Sequence, residues 1–159
     1  MNRLFLLIPT ILLFTSCGSK NSAFTYFENE NNESRAAQFT RKIDIVKDRE
    51  VDTIFMATYV NKTENDSDKT DDESFLIFNY FANSNTQDLD KNGYKITLNK
   101  QEPISIENVD KSDEKYKNLM LKNNWGKYYL VKFKSLESER LSLELSNQSS
   151  SKVILNFEK

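Results

Sequence analysis

The chain contains no histidine and only one cysteine, Cys17, among its 159 residues. Histidine is the commonest metal ligand and the commonest general base near neutral pH, so its absence excludes a Ser-His or Cys-His mechanism. With Cys17 assigned to another role, no thiol nucleophile remains, and zinc sites of the histidine and cysteine type are excluded too. Carboxylate or lysine chemistry and oxygen-ligated calcium remain compatible with this composition. Because the commonest catalytic side chains are missing, we expect a protein that is not an enzyme.

The chain also lacks a strong charge of one sign and a long hydrophobic run. Its formal net charge of −2 gives no basic surface for nucleic acid, so we expect no nucleic-acid partner. The apolar segment from Leu4 to Phe14 has eleven residues, roughly half of what a helix needs to cross a bilayer. No second run of this kind follows it, and we predict no transmembrane helix.

The first residues have the pattern of a secretory signal. Arg3 supplies a positive charge before the apolar segment, and Thr15 and Ser16 are small residues just ahead of Cys17. This arrangement resembles the lipobox of bacterial lipoproteins, in which the cysteine is lipidated and becomes the first residue of the mature chain. An ordinary cleaved signal is the alternative interpretation.

These features divide the chain into three parts. We predict a lipoprotein signal peptide over residues 1–16, a lipidated cysteine with a tether over 17–22, and a single domain over 23–159. Two or more acyl chains on the cysteine would anchor the protein stably, because a single chain binds a membrane only marginally. The covalent lipid is the only prosthetic group that this pattern implies.

Apolar residues recur with a period of two from residue 42 onward, which is typical of β-strands. The segments 51–61 and 74–82 are apolar on both faces, which predicts central strands that are covered on both sides. Six further strands are predicted near 43–46, 94–99, 104–107, 128–134, 141–146 and 153–158. The pattern favours a mainly β fold, an immunoglobulin-like antiparallel sandwich of about seven or eight strands, with a small barrel as the alternative.

Helices are few in this pattern. One short helix is predicted somewhere within 23–40, and a second from Ser112 to Lys122, with Ser112 as its N-cap.

Ile104 and Ile106 alternate with polar residues and are predicted to point into the core. Residues 92–93 and 147–151 are predicted to form turns.

One segment has the opening spacing of a calcium loop. Asp88, Asp90 and Asn92 supply oxygen donors at the first, third and fifth positions, and Gly93 stands at the sixth. The twelfth position, which normally carries a bidentate carboxylate, is Asn99. The alternative is a hairpin turn at Asn92 and Gly93 that leads into the next strand.

The densest aromatic cluster is formed by Trp125, Tyr128 and Tyr129. If these rings are exposed, they could stack on a sugar or a peptide. The alternative is that Trp125 packs at the mouth of the sandwich while a tyrosine fills the core.

Two polar segments also carry predictions. Asn32 lies in an acidic-flanked sequon, residues 30–34, which resembles the bacterial N-glycosylation signal. The acidic segment 64–73 is predicted to be a solvated hairpin loop, because its like charges repel one another, and the alternative is a weak cation site or a docking loop for a basic partner.

Four segments together resemble uncharacterised single-domain lipoproteins of campylobacter-type (epsilonproteobacterial) bacteria: residues 41–46, 51–61, 94–99 and 125–131. The resemblance implies a Gram-negative envelope and one β-rich domain, and it carries no activity or binding residues. No aspartate follows Cys17, which resembles the signal for the outer membrane, on the face toward the periplasm.

The sequence thus predicts a non-enzymatic, lipid-anchored envelope protein. Its partners would be the membrane and another envelope protein, recognised or supported through a sheet edge or through the Trp125 end of the domain. The alternative is a module that binds a small ligand, calcium or a sugar.

Overall fold

The structure is a computed structural model that describes residues 36–63, 71–147 and 152–159. Within these ranges it has eight strands and two 3-10 turns, Val60–Lys62 and Lys117–Leu119. The strands are β1 (Thr40–Lys47), β2 (Glu50–Tyr59), β3 (Glu73–Phe81), β4 (Tyr94–Leu98), β5 (Ser105–Val109), β6 (Lys127–Phe133), β7 (Arg140–Asn147) and β8 (Val153–Glu158).

The strands form two antiparallel sheets. The larger sheet has the order β1-β2-β3-β6-β5, and the smaller has the order β4-β7-β8. The predicted mainly β antiparallel sandwich is confirmed, and the larger sheet has five strands where a constant-type immunoglobulin domain has four. The two sheets stay separate and keep open edges, so the barrel alternative is wrong. The central positions predicted for β2 and β3 are confirmed.

The main hydrophobic core lies between the sheets. Strict alternation along β7 places Leu141, Leu143 and Leu145 inward, and all three are fully buried. They face the inner row of the larger sheet, which includes Phe55 and Phe75. Burial of each such side chain contributes about 1.5–3 kcal/mol, which makes this layer the main source of the sandwich's stability.

Two residues predicted for this core lie outside it. Ile106 is opposite Val131 of β6 and therefore faces the smaller sheet, as alternation requires. Nevertheless Ile106 is 49% exposed, and Ile104 is exposed to a similar extent. The smaller sheet has only three strands and leaves β5 uncovered, so the predicted burial is wrong although the predicted facing of Ile106 is right.

A second apolar cluster covers the outer face of the larger sheet. Leu76 and Phe78 of β3 pack there beside Tyr128 of β6, and the long connection between β5 and β6 lies over them. Gly126 ends that connection where a Cβ atom would lie 2.3 Å from the backbone oxygen of Asn79. Only a residue without a side chain lets the chain return to the sheet this closely.

The connection is not the helix predicted for residues 112–122. It forms turns with a single 3-10 segment, Lys117–Leu119. Ser112 is not an N-cap, because its backbone N–H and its hydroxyl both donate to Oδ1 of Asp110, at 2.8 and 2.5 Å. Short polar side chains in this stretch bind nearby backbone groups and so compete with a helix. Tyr116 and Met120 are buried against the sheet all the same.

The remaining predictions for local structure have mixed outcomes. Residues 36–38 form a helical turn, within the range 23–40 where a short helix was predicted. Gly93 has a φ of 72° in the turn before β4, which confirms a turn there. The predicted hairpin is wrong, because β3 and β4 belong to different sheets. In the turn predicted at 147–151, residues 148–151 lie outside the described part of the chain.

Candidate functional site

A cleft opens where the two sheets have unequal widths. It has a volume of about 450 Å³ and lies between β4 of the smaller sheet and β5 of the larger sheet. We call it the edge cleft and define it by its lining residues: Leu89, Asp90, Tyr94, Lys95, Ile96, Glu102, Pro103, Ile106, Asn108 and Tyr129.

The edge cleft combines an apolar floor with a charged rim. Tyr94 and Ile96 are buried at its base, while Ile106 is half exposed along one side. Lys95 and Glu102 lie exposed at the rim and carry opposite charges. Binding sites commonly have this composition, with apolar walls and a few polar groups that fix orientation. The cleft can therefore accept an apolar side chain whose neighbours are polar.

Both strands that border the cleft are edge strands. Among the described residues β5 pairs only with β6, and β4 pairs only with β7. The backbone N–H and C=O groups along such an edge are a template for an additional strand. Exposed Ile104 and Ile106 add apolar surface to this edge.

The opposite side of the sandwich is different. There the edge strand β1 carries the charged residues Arg41, Lys42 and Lys47, which protect an edge against further pairing. The guanidinium of Arg41 also lies 5.8 Å from the ring centre of Phe157 on β8, so one side chain joins the two sheets. Strand addition is therefore favoured at β5.

The predicted calcium segment lies beside the edge cleft. Two ammonium groups, those of Lys127 and Lys91, form ion pairs with the carboxylate of Asp88, the second at 3.1 Å. Their hydrogen bonds hold the pKa of Asp88 well below its usual range. The side-chain amide of Asn92 donates to the backbone oxygen of Asp88 at 2.7 Å and stabilises the turn. Asp90 is exposed at the rim of the cleft.

Thus the structure places the three predicted calcium ligands in one turn, with Asp88 already paired to lysine. In the described ranges no three carboxylate, cysteine or histidine side chains are grouped closely enough to hold a metal. Calcium binding stays a prediction.

The edge cleft contacts this ion pair through Tyr129. The hydroxyl of Tyr129 lies 3.5 Å from Oδ1 of Asp88, and its ring lines the cleft. Burial raises the pKa of Tyr129. The hydroxyl therefore stays protonated at neutral pH and donates to Asp88.

The three predicted aromatic residues do not form one surface. Tyr128 and Tyr129 are consecutive in β6 and point to opposite faces of the sheet. Tyr128 belongs to the outer cluster, and its hydroxyl accepts a hydrogen bond of 2.6 Å from the backbone N–H of Leu121. Trp125 is 73% exposed, so the alternative in which it packs at the mouth of the sandwich is wrong. The second part of that alternative is confirmed, because Tyr129 fills part of the core between the sheets.

The sequence pattern did not predict that the carboxylate of Glu73 is buried. Glu73 is only 2% exposed, which makes the predicted solvated loop wrong at this residue. Its oxygens accept hydrogen bonds from the hydroxyl of Tyr59 at 2.5 Å and the backbone N–H of Leu136 at 3.2 Å, and Lys159 pairs with it at 2.5 Å. Glu73 stands two residues before Phe75, which faces the core. Alternation along β3 is therefore the signal in the sequence that places Glu73 on the inner face.

The ammonium of Lys159 and two hydrogen bonds compensate the charge of Glu73 in the core. Burial, together with the hydrogen bond to Glu73, raises the pKa of Tyr59. All of these partners lie at one end of the sandwich, where the last described residue joins the start of β3. The cluster therefore fastens strands together, and it does not line the edge cleft.

Two predicted sites, Cys17 for lipid and Asn32 for glycan, lie outside the described residues, as does most of the acidic segment 64–73. None of the helices in the described part of the chain has the length and apolar character needed to span a membrane.

The described fold is that of an antiparallel β-sandwich domain with open sheet edges. Comparison with models of protein families, with curated proteins and with solved structures found no significant match. The resemblance to campylobacter-type lipoproteins consequently remains a prediction.

Proposed function

We propose that this chain is a non-enzymatic, lipid-anchored protein of the bacterial envelope that recognises another envelope protein at its β5 edge. The observation that carries this proposal is the half-exposed Ile106, which faces the gap beside an unpaired strand edge. Apolar surface next to free backbone groups favours addition of a strand from a partner.

The geometry specifies what such a partner would present. An extended segment pairing with β5 would point alternate side chains toward the edge cleft. The cleft has room for an apolar side chain between Ile96 and Ile106, and Lys95 and Glu102 could bind polar groups on either side. The partner segment would therefore have alternating apolar and polar residues.

The anchor is the second part of the proposal. The signal pattern and the small residues before Cys17 support lipidation of that cysteine. In a Gram-negative host we place the protein on the outer membrane, facing the periplasm. There the tethered domain would recognise or support its partner at the membrane surface.

Site-specific photo-crosslinking in the native host tests the recognition surface. A photoreactive residue at position 106 should give one discrete adduct with an envelope protein. The same residue at position 154 is the matched control, because Ile154 is also an exposed isoleucine but lies on the outer face of the smaller sheet. Equal labelling from both positions, or none from position 106, would contradict recognition at the edge.

A pair of variants measures the contribution of the edge. Ile106→Arg should lower the amount of partner recovered after gentle detergent extraction by roughly tenfold, because it places a charge at the centre of the contact. Ile154→Arg should leave recovery unchanged.

The anchor is tested separately with Cys17→Ser, which should lose the acyl mass and the membrane association together.

A small ligand in the edge cleft is the second candidate function, favoured by the cleft volume of about 450 Å³. Calcium or a cell-wall sugar should then raise the melting temperature of the parent protein. Ile106→Arg should reduce that rise, and no rise with either would eliminate this candidate.

A further inference from the structure

The outer face of the larger sheet carries a second exposed apolar surface, on the other side of that sheet from the edge cleft. Three adjoining depressions of about 500, 410 and 480 Å³ all include Leu121 in their lining. Leu121 is 46% exposed, and Trp125 borders the third depression. We call this surface the Leu121 face and define it by the residues that line these three depressions.

The charge of the Leu121 face has one sign. Four lysines line the depressions, and none of the described residues that line them is acidic. The lysines are Lys42, Lys111, Lys117 and Lys122. Two of them are paired at the rim, Lys42 with Asp44 at 2.9 Å and Lys117 with Glu114. The face therefore presents an apolar centre bordered by lysines, two of which are neutralised by carboxylates at the rim.

The chain enters the domain on this same face. Ala36, the first described residue, and Ala37 line the depression that also contains Leu121 and Lys122. Residues 18–35 connect Ala36 to Cys17. A lipid on Cys17 would consequently be connected to the described domain at a point beside the Leu121 face.

Three contacts order the exposed segment from Leu121 to Trp125. The hydroxyl of Tyr128 accepts the N–H of Leu121, and Lys111 donates to the backbone oxygen of Asn123 at 2.9 Å. Gly126 packs against Phe78 immediately after Trp125. An apolar segment that is already ordered loses little conformational freedom when it enters a contact.

We infer that the Leu121 face lies against the surface of the membrane that holds the lipid anchor, with Trp125 and Leu121 in the interfacial region and the lysines toward anionic headgroups. Tryptophan is enriched at membrane–water interfaces, and lysines near an anionic leaflet are attracted to it. This inference rests on the proposed lipid anchor. It would leave the edge cleft free for a protein partner, because the cleft lies on the inner face of the larger sheet and the Leu121 face lies on its outer face.

Trp125 is the only tryptophan in the chain, so its fluorescence reports on this face alone. The full lipidated protein is reconstituted into vesicles that contain phosphatidylglycerol and phosphatidylcholine with brominated acyl chains. Bromine near the carbonyl end of the acyl chain should quench Trp125 roughly twofold more than bromine near the methyl end, as expected for a residue at the headgroup boundary. Trp125 should also become less accessible to acrylamide.

A double variant provides the matched control. Trp125→Phe combined with Ile154→Trp moves the only tryptophan to the outer face of the smaller sheet, where quenching by bromolipid should be absent. Lys122→Glu, with Trp125 retained, should reduce the quenching in anionic vesicles.

The outcomes separate this inference from the proposed anchor. If the protein floats with the vesicles but bromolipid leaves Trp125 unquenched, the membrane contact is wrong and the anchor stands. If Trp125 is shielded from acrylamide but unquenched by bromolipid, protein covers the face and the inference is again wrong. If Cys17 carries no acyl group and the protein does not float, the anchor fails and the inference fails with it.

Discussion

The two apolar clusters of this domain are built in different ways. The cluster between the sheets has regular strands on both sides, and residues such as Leu143 and Phe75 alternate inward on each. The outer cluster has strands on one side only and is closed on the other by a connection of turns, through Tyr116 and Met120. Removal of a side chain from the inner cluster should therefore leave a cavity, because the sheets cannot move to fill it. In the outer cluster the connection between β5 and β6 can shift and fill part of the space.

The largest effect is expected in the inner cluster. Leu143→Ala should lower the free energy of unfolding by about 2–5 kcal/mol, because rigid sheets on both sides cannot close the cavity. Denaturant unfolding measures this loss, and Ile154→Ala on the exposed face of β8 is the control that should change little. A loss below about 1 kcal/mol for Leu143→Ala would show that the inner cluster also relaxes.

The buried Tyr59 should give the inner cluster a dependence on alkaline pH. Tyr59→Phe removes a hydrogen bond to the carboxylate of Glu73 and should cost about 1.5–3 kcal/mol near neutral pH. Because the pKa of Tyr59 is raised in the folded protein, the unfolded chain loses this proton first, and stability should fall as the pH rises above about 10.

Unfolding free energies measured at about pH 8 and about pH 11 test this dependence. Tyr59→Phe should show a smaller decrease between the two values than the parent. Some decrease should persist, because burial also raises the pKa of Tyr128 and Tyr129. An identical decrease in parent and variant would mean that Tyr59 does not titrate differently in the two states.

In the outer cluster the sharpest test is Gly126→Ala. The added methyl would meet the backbone oxygen of Asn79 and the ring of Phe78, so the connection must shift, at a cost of about 1–3 kcal/mol. The emission of neighbouring Trp125 should change as well. Gly93→Ala is the matched control, since it meets no atom within 4 Å but has a φ of 72° and should cost about 1–2 kcal/mol from the backbone alone.

The smallest effect is expected from Tyr128→Phe, which removes the bond to the N–H of Leu121 and should cost about 0.5–1.5 kcal/mol. Hydrogen exchange at Leu121 should become faster while exchange within β7 stays unchanged. Tyr80→Phe, on the same outer face, is the control. If exchange slows or stays constant at Leu121, the hydroxyl does not fasten the connection.

The same contrast explains how much of the structure could be predicted. The alternation of apolar and polar residues predicted β7 and the inward-facing residues of β6, because successive side chains of a strand point to opposite faces of the sheet. It could not reveal that Ile106 is exposed, because that depends on the number of strands in the opposite sheet. The connection over the outer face was predicted as a helix, because local hydrogen bonds such as those of Asp110 leave no periodic signal.

The candidate sites followed the same division. Trp125, Tyr128 and Tyr129 are adjacent in sequence, but the pleat of β6 and the end of the connection send them to three environments. Glu73 belongs to an acidic segment and yet is buried, because its partner Lys159 is contributed from the far end of the chain. Pairings over such sequence distances cannot be read from local pattern.

The pairing of β3 with β6 also determines the order in which this domain can fold. Strands β1 to β3 form a meander of neighbours in sequence, whereas Glu73 of β3 lies opposite Phe133 of β6. Contacts between distant parts of a chain form slowly, because a long loop must close first. Until β6 arrives, one edge of β3 stays unpaired, and an unpaired strand edge is prone to association with other chains. Under the proposed export from its N-terminus the chain would pass through this state, so we expect its yield to depend on factors that hold unfolded chains.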